Sequence, residues 1–288
     1  MLSQALESGR RISRHIMTLF LFTKSDVLTV LIPITLSTFA AAPHPDVTRM
    51  PDIIIWIWLH LLKHDICNQM QDPEEDRKNK PYRPLPAGLI TAQNAADVRW
   101  LLVPVCLIFS AMYDIKALAC SAFLEALSIW YNEFGGDETG LSKNLLTTIA
   151  YATLELGAMV VIGSSIDKIW AHAVAFSSVV FATTIHAQDF KDEEGDRLAG
   201  RRTLVTLFPA FARMSMMIGI PLWSLYLSRL WKVDLVSSIA FIAYGTIVGA
   251  RFMVYRTAGA HKQSCKLYSL WYTLVHLLPG YWRFFNST

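Results

Sequence analysis

Residues 53–62, IIIWIWLHLL, read as a segment made for lipid, and five residues later comes 68–88, NQMQDPEEDRKNKPYRPLPAG. That second stretch holds four acids (Asp72, Glu74, Glu75, Asp76) and four bases (Arg77, Lys78, Lys80, Arg83), with Asp65 just upstream. A helix that apolar, ending in charge that dense, marks the point where a membrane segment reaches water. The whole chain agrees with that reading. It has 288 residues, 53% hydrophobic and 17% charged, with a mean hydropathy of +0.35. Soluble domains carry about a quarter charged residues. The net charge of +3 is modest and gives no basis for binding nucleic acid. Cys67, Cys106, Cys120 and Cys265 lie scattered in or beside apolar runs, with no paired spacing, and read as small packing residues.

Roughly 20 apolar residues cross a bilayer as a helix. Nine segments approach that length: about 17–42, 51–68, 99–114, 117–134, 144–163, 168–188, 209–228, 235–255 and 266–284. The first follows a basic lead (Arg10, Arg11, Arg14) and FAAAP imitates a cleavage site. It is too long for a signal core and contains Lys24 and Asp26, so it is expected to be a first membrane helix. The expected fold is an all-α polytopic membrane protein, with 1–288 as one domain. Residues 17–134 would form a first bundle and 144–284 a second. With a cytoplasmic N-terminus, 18 basic residues fall on the cytoplasmic side and 6 on the other, the bias that sets membrane orientation.

A second cluster, AQDFKDEEGDRLAGRRTL at 187–204, follows another predicted span on the same side. Both clusters run from a polar amide through spaced aspartates to Asp-Arg and then Gly, a weak internal repeat. Asn68, Asp72 and Asp76 recur at i, i+4 and i+8, and Asp189, Asp192 and Asp196 at i, i+3 and i+7. On a helix each triplet lines one face. Pro73 disturbs the first, and Asp72 is also placed to cap a new turn with Glu75 completing a capping box. A solvated loop accounts for one such cluster more easily than for two that match. Carboxylates gathered at one membrane edge repel each other unless cations intervene. Mg²⁺ suits them, because it takes one or two carboxylates together with substrate phosphates. Arg77, Lys80, Arg83, Arg197 and Arg201 are candidates for the remaining phosphate oxygens. Lys143, alone in its loop before Asn144, is another.

The run at 68–88 resembles the first aspartate motif of the UbiA superfamily of membrane prenyltransferases, and 189–204 resembles its second. The resemblance covers nearly the whole chain. It implies two helical bundles around a central cavity, Mg²⁺ and a prenyl diphosphate beneath the aspartates, and the prenyl tail within the membrane. Carried over by position, Asn68, Asp72, Asp76, Asp189, Asp192 and Asp196 match the metal-binding motifs. Arg77, Lys80, Arg83 and Lys143 resemble the diphosphate-contacting bases. Gln69 stands where many members have aspartate, and Gln188 where some have lysine. The N-Q variant and the WIWLHLL lead are similar to fungal members, some of which are membrane terpene cyclases, and that likeness points to the endoplasmic reticulum with the aspartates facing the cytosol.

The first chemical step is then ionisation of an allylic C–O bond, with Mg²⁺ balancing charge on the departing diphosphate. Attack by an aromatic or other small acceptor makes the protein a prenyltransferase, the first reading, with a farnesyl-type donor. Attack by the chain's own double bond makes it a terpene cyclase, the alternative. A transporter or lipid-binding protein is a remote third, because it would need broken intramembrane helices rather than acidic clusters at one edge. Trp56, Trp58, Trp130, Tyr131 and Tyr151 are candidates to face the cation. Glu125 and Glu155 lie inside spans, and His60, His64 and Asp65 precede Asn68. Such groups face a cavity or a partner helix.

Overall fold

The computed structural model describes residues 2–71, 76–77, 80–136, 139–198 and 200–286, and what it describes is helical. The helices are α1 (Leu2–Thr23), α2 (Ile32–Ala41), α3 (Met50–Gln71), α4 (Ala92–Ala111), α5 (Ile115–Glu133), α6 (Gly140–Val161) and α7 (Lys168–Thr184), then the short α8 (Glu193–Leu198) and α9 (Leu204–Leu207), and finally α10 (Pro209–Leu230), α11 (Leu235–Val254) and α12 (Ala258–Asn286). A π-helical turn, Val27–Leu31, precedes α2, and a 3₁₀ helix, Ile185–Lys191, continues α7.

Side-chain caps set the starts. Thr91, Thr139, Asp167 and Asp234 each accept a hydrogen bond from a backbone N–H in the first turn of α4, α6, α7 and α11. From α3 to α7, and again from α10 to α12, each helix packs on the next. α7 meets α10, and α12 returns along α2, so the ring closes between the two ends of the chain. Where helices cross closely, glycine makes room. A Cβ on Gly157 of α6 would lie 2.2 Å from the Trp56 ring, and one on Gly249 of α11 would lie 2.7 Å from the Met216 carbonyl of α10. Small residues at such crossings let backbones approach where lipid supplies no hydrophobic drive.

Helices α4, α6, α7 with its 3₁₀ extension, α10 and α11 are each long and apolar enough to cross a membrane. All nine expected spans fall on helical segments. Helices α3, α5 and α12 are less apolar and are not among those five. The first expected span, 17–42, is not one straight helix. Gly9–Thr23 and Val27–Ala41 meet at 65°, and the break holds Lys24, Ser25 and Asp26. The Asp26 carbonyl accepts from both Val30 and Leu31, which winds the turn wider. At the far end from the acidic motifs, Arg283 donates to the Ala41 carbonyl (2.8 Å) and to Asp167 (2.7 Å), joining α12 to α2 and α7.

Candidate active site

Both acidic motifs come to the same end of the ring and touch. Lys80 of the first lies 3.7 Å from Asp192 of the second. Asp72, with Pro73 and Glu75 of its expected cap, lies outside the described residues. Asn68 is half-buried on the last turn of α3. Beyond the helix, Asp76 is buried, and its two carboxylate oxygens accept from Arg83 at 2.8 and 2.6 Å. Burial opposes the charge on Arg83, but the hydrogen bond and charge of Asp76 outweigh it and raise its pKa above the ordinary guanidinium value. Arg77 is exposed.

The second triplet does not share one α-helical face. Asp189 sits in the 3₁₀ helix, Asp192 at its end, and Asp196 in α8. Three residues per turn eclipse i and i+3, so the tighter winding still stacks Asp189 above Asp192. Asp189 and Asp196 are buried, and Asp192 is about a quarter exposed. Lys143 donates to Asp189 (3.2 Å), and Arg201 lies 3.5 Å from Asp196. Arg197 turns to Glu193 (3.1 Å) and is more than half exposed, away from the aspartates. Asn144, beside Lys143, is half-buried in the first turn of α6. The start of α6 is pinned there because Gly140 N–H donates to the Arg202 carbonyl (3.0 Å), and a Cβ at Gly140 would lie 2.8 Å from that oxygen.

The aspartates carry more acceptor capacity than the protein uses. One oxygen each of Asp189 and Asp196 is buried with no hydrogen-bond partner among the described residues. Burial, with the neighbouring charges of Asp189 and Asp192 against the pull of Lys143 and Arg201, pushes the Asp196 carboxyl up to about 6. Hard, anionic, under-satisfied oxygens are the donor set that a small divalent cation takes.

One cavity adjoins this cluster, and a second lies deeper along α3 and α6. A mouth of about 720 Å³ opens among Lys80, Arg83, Asp192, the break before α2, and the first turns of α12. Lys24, Lys262 and Lys266 also line it, and sequence reasoning passed over all three. The signal for the last two was the stripe Ala258, Lys262, Cys265 and Ser269 on one helical face, hidden because it precedes the apolar part of α12. Burial lowers the pKa of Lys80 in this wall although Asp192 favours its charge.

The second cavity, a narrow chamber of about 100 Å³, is almost wholly apolar. Its stripe on α3 is His60 and His64, one turn below Asn68, and its stripe on α6 is Thr147 and Tyr151, continuing down from Lys143. At 1.5 Å per residue, Tyr151 lies about 12 Å below Lys143. Val30 of the π-helical turn lines the chamber while Val27, Leu28 and Thr29 line the mouth, so that turn is the partition between them.

The intramembrane polar residues divide by use. Of the expected aromatics, Tyr131 and Tyr151 line the chamber. Trp56 is a buried strut donating to Ser110 (2.8 Å), Trp58 donates to Thr23 (3.1 Å), and Trp130 is exposed. Glu125 forms an ion pair with Lys63 at 2.6 Å in the chamber wall. Glu155 contacts His276 (2.7 Å), away from the chamber. Gln69 is buried and donates to the Phe22 carbonyl (2.8 Å), tying α3 to α1. His60, Cys106 and Glu125 cluster within metal-ligand reach. Two of the three are already engaged, the His60 nitrogens by the Trp56 carbonyl and Ser121 (2.8 Å each) and Glu125 by Lys63.

Comparison with known proteins follows the same lines. A sequence model described as the UbiA prenyltransferase family matches residues 30–272. Fumagillin beta-trans-bergamotene synthase of Aspergillus fumigatus is 29% identical over 245 residues, 84% of each chain. Somaliensene A/B synthase of Streptomyces somaliensis is 26% identical over 284 residues, 92% of this chain and 93% of that one. Among solved structures, a UbiA homolog from Archaeoglobus fulgidus bound to GPP and Mg²⁺ superposes with a TM-score of 0.66 at 16% identity, covering 90% of this chain and 99% of that one. That likeness establishes the shared fold.

Proposed function

The chain belongs to the UbiA prenyltransferase family, and on that premise we propose that it ionises an allylic prenyl diphosphate of farnesyl type and cyclises the resulting cation to a terpene. The observation that carries this reading is the arrangement of two compartments. Under-satisfied aspartates and clustered bases stand at one end, with an apolar, aromatic-walled chamber below them. Two relatives matched over more than four-fifths of their own length carry the names of terpene synthases, which supports cyclisation over transfer, while a polyprenyl transferase of Hericium erinaceus is matched over 56% of its length.

Asp189, Asp192 and Asp196, with Asn68, Asp76 and Asp72, would hold Mg²⁺, and the orphaned oxygens of Asp189 and Asp196 fit that role. When bound, Mg²⁺ supplies positive charge that stabilises the departing diphosphate. The protein does the rest. Lys80, Arg83 and Lys143 hold phosphate oxygens at the mouth end, so that the allylic carbon points down between α3 and α6. The aliphatic wall of the chamber, Leu124, Leu127, Leu146 and Leu154, excludes water that would otherwise trap the cation. The ring faces of Tyr131 and Tyr151 offer electron density to the passing charge. A farnesyl tail is larger than this chamber, so the chamber must widen as the tail enters, and folding there brings an internal double bond to the cationic carbon.

The same ionisation serves transfer to an aromatic or other small acceptor, the second reading. The mouth favours it, since about 720 Å³ beside Asp192 has room for more than a diphosphate. Incubating membranes with farnesyl diphosphate and Mg²⁺ alone separates the two. A cyclic hydrocarbon is expected, and turnover only after an aromatic acceptor is added would replace cyclisation with transfer. The enzyme is proposed to sit in the endoplasmic reticulum membrane with its aspartates facing the cytosol.

A further inference from the structure

A terpene cation must finish by losing a proton, and we infer that His64 is the group that takes it. The inference rests on the cyclisation reading. It starts from what the chamber lacks: its lining is mostly hydrocarbon, and nearly every basic atom in it is already committed. His60 has both nitrogens engaged, Nδ1 at the Trp56 carbonyl and Nε2 at the Ser121 hydroxyl. A carbonyl only accepts, so His60 Nδ1 carries the hydrogen and Nε2 spends its lone pair on Ser121. Glu125 is held by Lys63 at 2.6 Å. Thr147 donates to the Lys143 carbonyl at 2.8 Å, and its hydroxyl is a weak base.

His64 differs. Its Nδ1 lies 3.3 Å from Ser128 Oγ, and among the described residues no hydrogen bond reaches Nε2. Ser128 is itself fixed, because Asn132 Nδ2 donates to its carbonyl at 2.8 Å and approaches its hydroxyl at 3.4 Å. The Tyr131 ring meets the imidazole edge-on at 5.3 Å and restricts its rotation. In the tautomer that donates Nδ1–H to Ser128, Nε2 presents a lone pair in the chamber wall one helical turn below Asn68.

The electrons balance without another reactant. The allylic C–O bond breaks and its pair leaves on the diphosphate. The pair of an internal double bond forms the ring bond to the vacant carbon. The last cation gives a C–H proton to His64, and the C–H pair becomes a new double bond. The imidazolium then returns its proton to water at the mouth, so that the net products are hydrocarbon, diphosphate and one proton.

The test uses the full-length protein in membranes with farnesyl diphosphate and Mg²⁺, following diphosphate release and the hydrocarbon profile together. His64→Gln is expected to keep diphosphate release within about threefold of the wild type while the wild-type hydrocarbon falls about a hundredfold, the share of a lost general base. Isomers deprotonated elsewhere and water-trapped alcohols should replace it. His64→Ala with added imidazole should recover the original hydrocarbon, a rescue that separates proton transfer from packing. An unchanged profile in His64→Gln, or a folded His64→Ala that imidazole does not restore, overturns the assignment of His64 alone. A wild-type protein that makes no hydrocarbon from farnesyl diphosphate alone overturns the cyclisation reading and the inference with it.

Discussion

Arg83 shows how much one side chain carries at the polar end. Its guanidinium neutralises Asp76, and both are almost fully buried. Removing one partner of such a pair leaves a desolvated charge and costs about 3–5 kcal/mol. Arg83→Ala should therefore lower stability by about that much in a denaturant titration in detergent, and Asp76→Asn in the same chain should recover much of it. Gly157 makes a different prediction. A methyl there meets the Trp56 ring at 2.2 Å, and the hydrogen bond to Ser110 keeps that ring in place. Gly157→Ala should cost about 1–3 kcal/mol by overpacking, read as a lowered thermal midpoint. Asp196 gives a pH dependence. Its folded carboxyl sits at about 6 against an ordinary value of 3.8, so the folded state binds the proton more tightly. Its contribution to stability is therefore fully present below about 3.8 and lost as pH rises through about 6. The proton competes with a cation for the same oxygen, so stabilisation by added Mg²⁺, measured as a melting shift, should shrink as pH falls below about 6.

At the scale of elements, Lys63 and Glu125 pin α3 to α5 inside the chamber wall. Lys63→Met alone should destabilise the protein by about 3–5 kcal/mol, because Glu125 is left alone, whereas Lys63→Met with Glu125→Leu should return to near wild-type stability. A double mutant no better than the single would show that the pair acts in another way. Five of the helices were legible in the sequence from apolar length alone, while α3, α5 and α12 are less apolar. The acidic motifs were legible because carboxylates spaced along two matching helix ends repel one another unless a cation lies between them. What the sequence could not disclose depends on distant partners. Gln69 looked like a weakened ligand, but its amide serves the Phe22 carbonyl 47 residues away. Lys63 and Glu125 lie on different helices, and no local pattern announces their pairing. The bend at Lys24–Asp26 and the 3₁₀ winding at Asp189 are choices of backbone hydrogen bonding that hydropathy does not register.

At the scale of the whole molecule, the closed ring brings residues from opposite halves of the chain to one end, and a chelator should expose that dependence. Stripping divalent cations, or substituting Asp192→Ala, should abolish diphosphate release, with Mg²⁺ restoring the first but not the second. Persistent turnover in chelator would rule out the metal. The ion pairs at this end have a further thermodynamic consequence. Lys143 rests on Asp189 and Lys80 on Asp192, each base occupied by an acid. A cation taking the free oxygens of Asp189 and Asp196 alone is repelled by the lysines beside them, and a diphosphate arriving alone must draw those lysines from their aspartates. Arriving together, each offsets the charge that opposes the other. The two ligands are therefore expected to bind with positive heterotropic coupling, and by reciprocity each tightens the other by the same factor. Calorimetry should find weak Mg²⁺ binding to the free protein and tight binding once inorganic diphosphate is present. The resting enzyme would then ignore either ligand alone and load only when both are at hand.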